Sequence, residues 1–270
     1  MGHQETRSQF SIRLDAARRL MHWYVLSGIK PHYIVTEYPK SGGSWVAQLI
    51  SDYLEIDFPR NESIGLFQNT CLLHGHHKYS RFFKNTVYVL RDGRDVMTSA
   101  YFHCLFQNDR NPKQMVEGHR KQLQFDDYDD VKGNLPRFIE YMFRDLSKRR
   151  FRFSWSEFID SIDFNSAIVV KYEDLIEDTA GAIGKTLEKL TGKPVDAERL
   201  NQIVNKFSFK NQVNRTAGIE DTTSFLRKGI VGDWRNKFSH DASVVFEQYG
   251  GKALIRAGYE SDALWVIDIG

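Results

Sequence analysis

Hydrophobic and polar positions along this chain follow two periods. Short apolar, β-branched runs predict strands at 33–36, 71–73, 86–90 and 167–172. Apolar residues at helical spacing predict helices over 8–27, 46–54, 96–102, 135–151, 154–162, 180–191, 197–207 and 242–258, with a further helix starting near 173–175. In the first helix Ile12, Leu14, Ala17, Leu20, Met21 and Tyr24 form an apolar stripe, and Arg13, Arg18 and Arg19 form a solvated face. Gly192 and Pro194 stop the 180–191 helix. Residues 65–70 read as loop, and 208–223 as mixed and polar. The stretch 108–133, with Asp126, Asp127, Asp129 and Asp130, reads as a mobile surface loop. Strand and helix signals alternate without internal repeats. They predict an α/β fold, a central mostly parallel sheet flanked by helices, as a single domain over 1–270.

Composition narrows the class. Hydrophobic residues make up 41% of the chain, ample for a core. A net charge of +2 is too mild for a nucleic-acid binder but allows a local basic pocket for an anionic ligand. Cys71 and Cys104 suggest neither a disulfide framework nor a metal site, which fits a reducing compartment. No apolar run approaches the ~20 residues of a membrane span, and the N-terminus is polar. A cytoplasmic protein with no transmembrane segment is the expectation. Met1-Gly2 with Thr6 meets the loose myristoylation pattern, and the sequons at Asn61 and Asn214 are expected to stay unmodified.

The chemistry gathers at strand ends. Tyr38-Pro39-Lys40-Ser41-Gly42-Gly43-Ser44-Trp45 joins the first strand to a helix. Such a Gly-rich turn directs backbone N–H groups at the positive end of a helix into one small volume suited to phosphate. Lys40 adds charge, and Ser41 and Ser44 add hydroxyls. The lysine precedes the glycines, so this is not a Walker A loop; alone, the stretch is equally consistent with a plain tight turn. A second unit repeats the plan. The 86–90 strand ends at Arg91, where open α/β sheets bind ligands, and Ser99 follows two helical turns later. Arg94 and Asp95 are expected to pair with each other or with neighbours. Arg227-Lys228-Gly229 forms a flexible cationic loop within 225–234, a good phosphate clamp. His74, His76 and His77 follow the second strand. With no acidic or cysteine partner nearby and only two ligands on one strand face, they argue for a base and against a metal site, or for surface histidines in a turn.

The segments YPKSGGSW, YVLRDGRDVMTSAY, VVKYEDL and FLRKGIVGDW occur in this order, and together they resemble the cytosolic sulfotransferase family over about 33–258, least in the middle. That resemblance implies a P-loop-kinase-like fold and transfer of a sulfuryl group from 3′-phosphoadenosine 5′-phosphosulfate (PAPS) to a hydroxyl of a small-molecule acceptor. The products would be a sulfate ester and 3′-phosphoadenosine 5′-phosphate (PAP). In the family loop Y-P-K-S-G-T-T-W, Lys40, Ser41, Gly42 and Trp45 match, Gly43 replaces the first threonine and Ser44 stands for the second. The resemblance assigns Arg91, Ser99, Arg227, Lys228 and Gly229 to the 3′-phosphate. It places Trp45 and Phe209 around adenine with Tyr172 nearby, and Phe207 falls near a family threonine. The family base lies in K-T-H, here His74-Gly75-His76. Strand register favours His76, with His74 as the rival and as the occupant of the lysine's place. Lys40 would stabilise the leaving oxygen. The family's dimer motif is degraded near Arg235, Ser239 and His240, so the oligomeric state stays open. The acceptor pocket is expected from the 60s loop, from Tyr101, Phe102, His103 and Phe106, and from 108–165, which suits an apolar or aromatic acceptor. Two alternatives stand beside this reading: a P-loop-type nucleotide kinase, and an inactive PAP-binding protein.

Overall fold

The computed structural model describes residues 9–25, 32–60, 62–65, 69–144 and 152–269. Four strands, β1 (Tyr33–Glu37), β2 (Leu72–Gly75), β3 (Thr86–Leu90) and β4 (Ile168–Lys171), make one parallel sheet in the order β2-β1-β3-β4. Helix α1 (Gln9–Tyr24) precedes the sheet and α2 (Gly43–Leu54) follows β1. Between β3 and β4 lie α3 (Gly93–Leu105), α4 (Lys113–Gln122), α5 (Val131–Arg144) and α6 (Trp155–Ser161). After β4 come α7 (Tyr172–Glu177), α8 (Thr179–Thr191), α9 (Ala197–Lys206), α10 (Phe209–Val213), α11 (Trp234–Lys237) and α12 (His240–Arg256), with a final turn at Leu264–Ile269. Among the described residues no helix is long and apolar enough to cross a membrane.

Strand residues alternate between two covered faces, as a buried parallel sheet requires. Val35, Leu72, Val87 and Val89 pack with Val46, Leu49 and Ile50 of α2 and with Ile183 and Leu187 of α8. On the opposite face Tyr88 and Leu90 meet Val96 and Met97 of α3, Phe138 and Met142 of α5, and Phe246 and Leu254 of α12. Ile34 and Leu73 meet Trp23 of α1. The strand order reverses between β1 and β3: the chain leaves β1 toward β2 on one side and β3 toward β4 on the other. Such a switch point opens a crevice beyond the carboxyl ends of the two central strands. The Lys40 loop and Arg91 stand there.

Several sequence expectations are corrected. First, 108–133 is not a loop. Helix α4 forms within it, burying Val116 and His119, and His119 Nδ1 lies 3.0 Å from the Tyr141 hydroxyl. Second, the acidic run ends in turns that lead into α5: Asp127 accepts the Asp129 N–H at 2.8 Å, and Asp130 accepts the Gly133 N–H at 3.1 Å. Helix α5 therefore starts at Val131. Third, α1 turns its polar side inward. Asp15 accepts from Arg19 Nε at 3.1 Å and from the Ile64 N–H at 3.0 Å, and His22 Nε2 lies 2.9 Å from the Gly65 carbonyl. Arg19 Nη2 donates to the Glu62 carbonyl at 2.5 Å, so it is no solvated group. Leu14, Leu20 and Tyr24 are exposed instead, because buried polar groups with partners outrank an apolar stripe. Tyr172, expected in the last strand, opens α7. The myristoylation pattern, the side chains of Ile12 and Arg13, the Asn61 sequon, 66–68 of the 60s loop and the expected helix beyond Arg144 lie outside the described residues.

Candidate active site

The turn after β1 reverses tightly. Lys40 has φ 75° and Gly42 φ 97°, both left-handed. A Cβ on Gly42 would also stand 2.6 Å from Tyr172 Cδ2, so only glycine fits. Helix α2 then starts at Gly43, after the N-cap residue Gly42, and the Gly43 N–H is taken by the Glu37 carboxylate. The Lys40 ammonium sits 3.6 Å from the Phe225 ring centre. Burial pushes its pKa down to about 7; Glu37 opposes that shift, while Arg91 and Arg110 add to it. The Ser41 hydroxyl is buried without a partner.

Arg91 holds this loop from below. Its Nη1 donates to the Lys40 carbonyl and its Nη2 to the Ile230 carbonyl, both at 3.2 Å. Its guanidinium lies 4.5 Å from the Tyr172 ring centre, and its buried Nε has no partner. One turn on, Asp95 accepts the Gly232 N–H at 2.7 Å and the Trp234 N–H at 3.0 Å, which pins the cationic loop to α3. Within that loop Arg227 and Lys228 both reach the buried Asp233, at 2.6 and 2.5 Å. Gly229, at φ 67°, leaves room for the Phe209 ring, whose Cδ2 would lie 2.5 Å from a Cβ there. Trp45 is fixed by its Nε1–H to the Phe207 carbonyl at 2.9 Å. Arg94 does not pair with Asp95. It binds Asp92 at 2.7 Å and Glu260 at 2.6 Å, 3.9 Å from the Trp234 ring centre.

Lys40, Gly42, Ser44, Trp45, Arg91, Ser99, Tyr172, Phe209, Arg227, Lys228 and Gly229 all line one open cleft. Ser41 and Gly43, both buried, do not line it, and neither do the candidate bases, the half-buried His74 and the exposed His76. Glu37 lines the cleft although sequence reasoning passed over it. Its carboxylate takes the Gly43 N–H at 2.6 Å and lies 3.0 Å from His74 Nε2. Burial opposes charge there, but the His74 hydrogen bond and the nearby imidazoles hold the Glu37 carboxyl below the usual range. His76 Nδ1 lies 3.3 Å from the Glu37 carbonyl. The histidines thus do have an acidic neighbour, brought by the fold: ligand atoms of Glu37, His74 and His76 lie within 4.8 Å of one another. His77 packs 4.1 Å from Trp23 between ring centres, and burial pushes its pKa down to about 4.

Glu37 also accounts for Gly43. A Cβ at position 43 would stand 2.7 Å from the Glu37 carboxyl carbon and 2.9 Å from His74 Nε2. A side chain there requires this carboxylate and the His74 ring to shift. The signals were Glu37 itself, a charge closing an apolar strand, and the paired glycines five residues on.

A parallel sheet with a cationic crevice at its switch point is the arrangement of open α/β folds that bind ligands at the carboxyl ends of their strands. A family model, the sulfotransferase domain, matches residues 78–258. Sulfotransferase 1E1 of Rattus norvegicus is 26% identical over 258 residues, spanning 80% of this chain and 81% of that one. The 3-beta-hydroxysteroid sulfotransferase of Cavia porcellus is 24% identical, spanning 84% of each. Among solved structures, mouse sulfotransferase SULT7A1 complexed with PAP superposes with a TM-score of 0.59 at 17% identity, covering 88% of this chain and 87% of that one. The chain belongs to the sulfotransferase domain family, and it is a PAPS-dependent enzyme whose acceptors are small-molecule hydroxyl compounds.

Proposed function

We propose that the cleft holds PAPS with its 3′-phosphate on Arg91, Ser99, Arg227 and Lys228, its adenine between Trp45 and Phe209, and its 5′ end on the loop of Lys40, Ser41, Gly42, Gly43 and Ser44. One observation carries this: four cations from three separate segments converge on one cleft at the sheet's switch point. The site fits such a ligand. Among the described residues Arg91 Nε and Ser41 Oγ are buried donors without partners, and Gly42 and Gly229 leave room for the Tyr172 and Phe209 rings that line the cleft. Tyr172 supports Arg91 from beneath.

PAPS supplies an activated sulfuryl group. The protein's work is then positioning and charge stabilisation. His76 takes the acceptor hydroxyl proton. Its Nδ1, hydrogen-bonded to the Glu37 carbonyl, leaves Nε2 as the proton-accepting nitrogen. Lys40 stabilises the leaving oxygen as charge builds on it. His74, anchored by Glu37, occupies the place of the family's lysine. The test is release of PAP from PAPS in the presence of a hydroxyl acceptor. Wild type should turn over and Lys40→Met should not, while still binding PAP. Equal turnover by the variant contradicts these roles.

A further inference from the structure

Glu37, His74 and His76 meet at the carboxyl ends of β1 and β2, and their grouping is more than a base requires. Parallel pairing sets Val35 beside His74 and Thr36 beside Gly75. Side chains two residues apart share a strand face. Glu37 and His74 therefore lie on the face that Val35 and Leu72 turn to α2, and His76 continues it. Glu37 Oε1 lies 3.0 Å from His74 Nε2, and ligand atoms of all three residues lie within 4.8 Å of one another. The two imidazole rings stand edge to face, 5.4 Å apart between centres. Among the described residues this is the one such group of three His, Cys, Asp or Glu side chains.

Metal-ligating side chains are held by a further hydrogen bond on the atom that faces away from the ion. Both kinds of support are present. Glu37 is buried, and its Oε2 takes the Gly43 N–H at 2.6 Å, which leaves Oε1 toward the histidines. His76 Nδ1 lies 3.3 Å from the Glu37 carbonyl, which leaves Nε2 for a ligand bond. Phe58 stands edge-on to His74 at 6.4 Å and walls that side. Gly43 keeps the place open, since a Cβ there would crowd Glu37 and His74 at 2.7 and 2.9 Å. The exposed His76 gives an ion access from solvent. Two imidazoles and one carboxylate are a donor set that zinc takes with water in its fourth position. Zinc bonds of roughly 2.0–2.1 Å set neighbouring donors about 3.3 Å apart, close to the 3.0 Å already held between Oε1 and Nε2. A small turn of the exposed His76 ring brings in the third donor.

We propose that Glu37, His74 and His76 form a zinc site that switches the enzyme off reversibly. Zinc displaces the hydrogen between Glu37 Oε1 and His74 Nε2, and the imidazole keeps its proton on Nδ1. It also takes the Nε2 lone pair of His76, so that nitrogen no longer accepts the proton of the acceptor hydroxyl. Metal binding stands on these three side chains alone. The inhibition rests on the sulfotransferase reading, with His76 as its base.

The test is calorimetric titration of zinc chloride into untagged, metal-free protein, with cobalt(II) as a spectroscopic substitute. Wild type should bind one zinc per chain, and cobalt should develop the visible bands of a four- or five-coordinate ion. Glu37→Gln, which keeps the side chain's size, and His76→Ala, at an exposed position, should each weaken zinc about tenfold or more and lose those bands, while circular dichroism shows both folded. Zinc should lower wild-type turnover in step with occupancy, and a chelator should restore it. Wild type that binds no zinc, binding untouched by either variant, or cobalt that stays octahedral overturns the site. Full occupancy with unchanged turnover overturns the switch. Failure of metal-free wild type to release PAP from PAPS would instead strike the sulfotransferase reading, with the zinc titration still deciding the site.

Discussion

At one end of the cleft Arg227 and Lys228 share the buried carboxylate of Asp233, and Asp95 clamps the same loop through the Gly232 and Trp234 amides. At the other end Lys40 has, among the described residues, no carboxylate in salt-bridge contact, lies against the Phe225 ring, and is pushed down to about 7 by burial. The first end stores its cations in a fixed ion network, which keeps them aimed before a ligand arrives. The second keeps its cation desolvated, so its charge is at its most valuable when an anion appears beside it. The sequence motif of the first end is intact. The second is rebuilt, with Glu37 filling the space that a side chain on residue 43 would need.

The largest expected effect falls on the rebuilt end. His76→Ala should lower kcat by roughly 10²–10⁴ with PAP affinity preserved, as read by steady-state turnover and by titration. The same loss in His74→Ala, with His76→Ala spared, exchanges the two roles. A smaller effect probes how Glu37 and Gly43 depend on each other. Gly43→Thr alone should weaken activity about tenfold or more by colliding with the Glu37 carboxyl, and Glu37→Thr/Gly43→Thr should recover most of it. A coupling of roughly 0.5–3 kcal/mol is the range for touching residues; additive losses in the double-mutant cycle would show that the two positions are independent.

The smallest effect reports on Lys40 itself. Its folded pKa, about 7, lies below the free value of 10.5, so the unfolded chain binds more protons between those limits. Stability from this group therefore rises with pH across that window and is lost toward pH 7. An anion beside Lys40 reverses the shift. PAP binding near pH 8 should take up a fraction of a proton, measured by calorimetry in buffers of different ionisation enthalpy. Lys40→Met should abolish that uptake, and unchanged uptake would remove Lys40 from the anion's surroundings.

Much of this arrangement was legible beforehand, and the reasons differ by element. The four strands announce themselves as β-branched runs because both faces of a parallel sheet are covered. Helix α4 was hidden because only Val116 and His119 are buried along it. The orientation of α1 was misread because the partners of its buried side chains, Ile64 and Gly65, come from far along the chain. In the site, the cations and glycines stood out in ordered segments. Their carboxylate partners did not. Asp95 meets residues well over a hundred positions away, and an acidic residue at a strand or helix end usually means solvent. Glu37 needed the fold before its contact with the Gly43 amide and His74 could be seen.

The most direct test of the central claim is calorimetric titration of PAP and of adenosine 5′-phosphate, which lacks the 3′-phosphate, into wild type and Arg91→Ala. PAP should bind wild type far more tightly than adenosine 5′-phosphate. Arg91→Ala should cost about 1.5–3 kcal/mol with PAP and little with adenosine 5′-phosphate, because it removes a charge-assisted contact made only to the 3′-phosphate. Equal affinity of wild type for both nucleotides, or an equal loss with both in the variant, would contradict a cleft built to read the 3′-phosphate of PAPS.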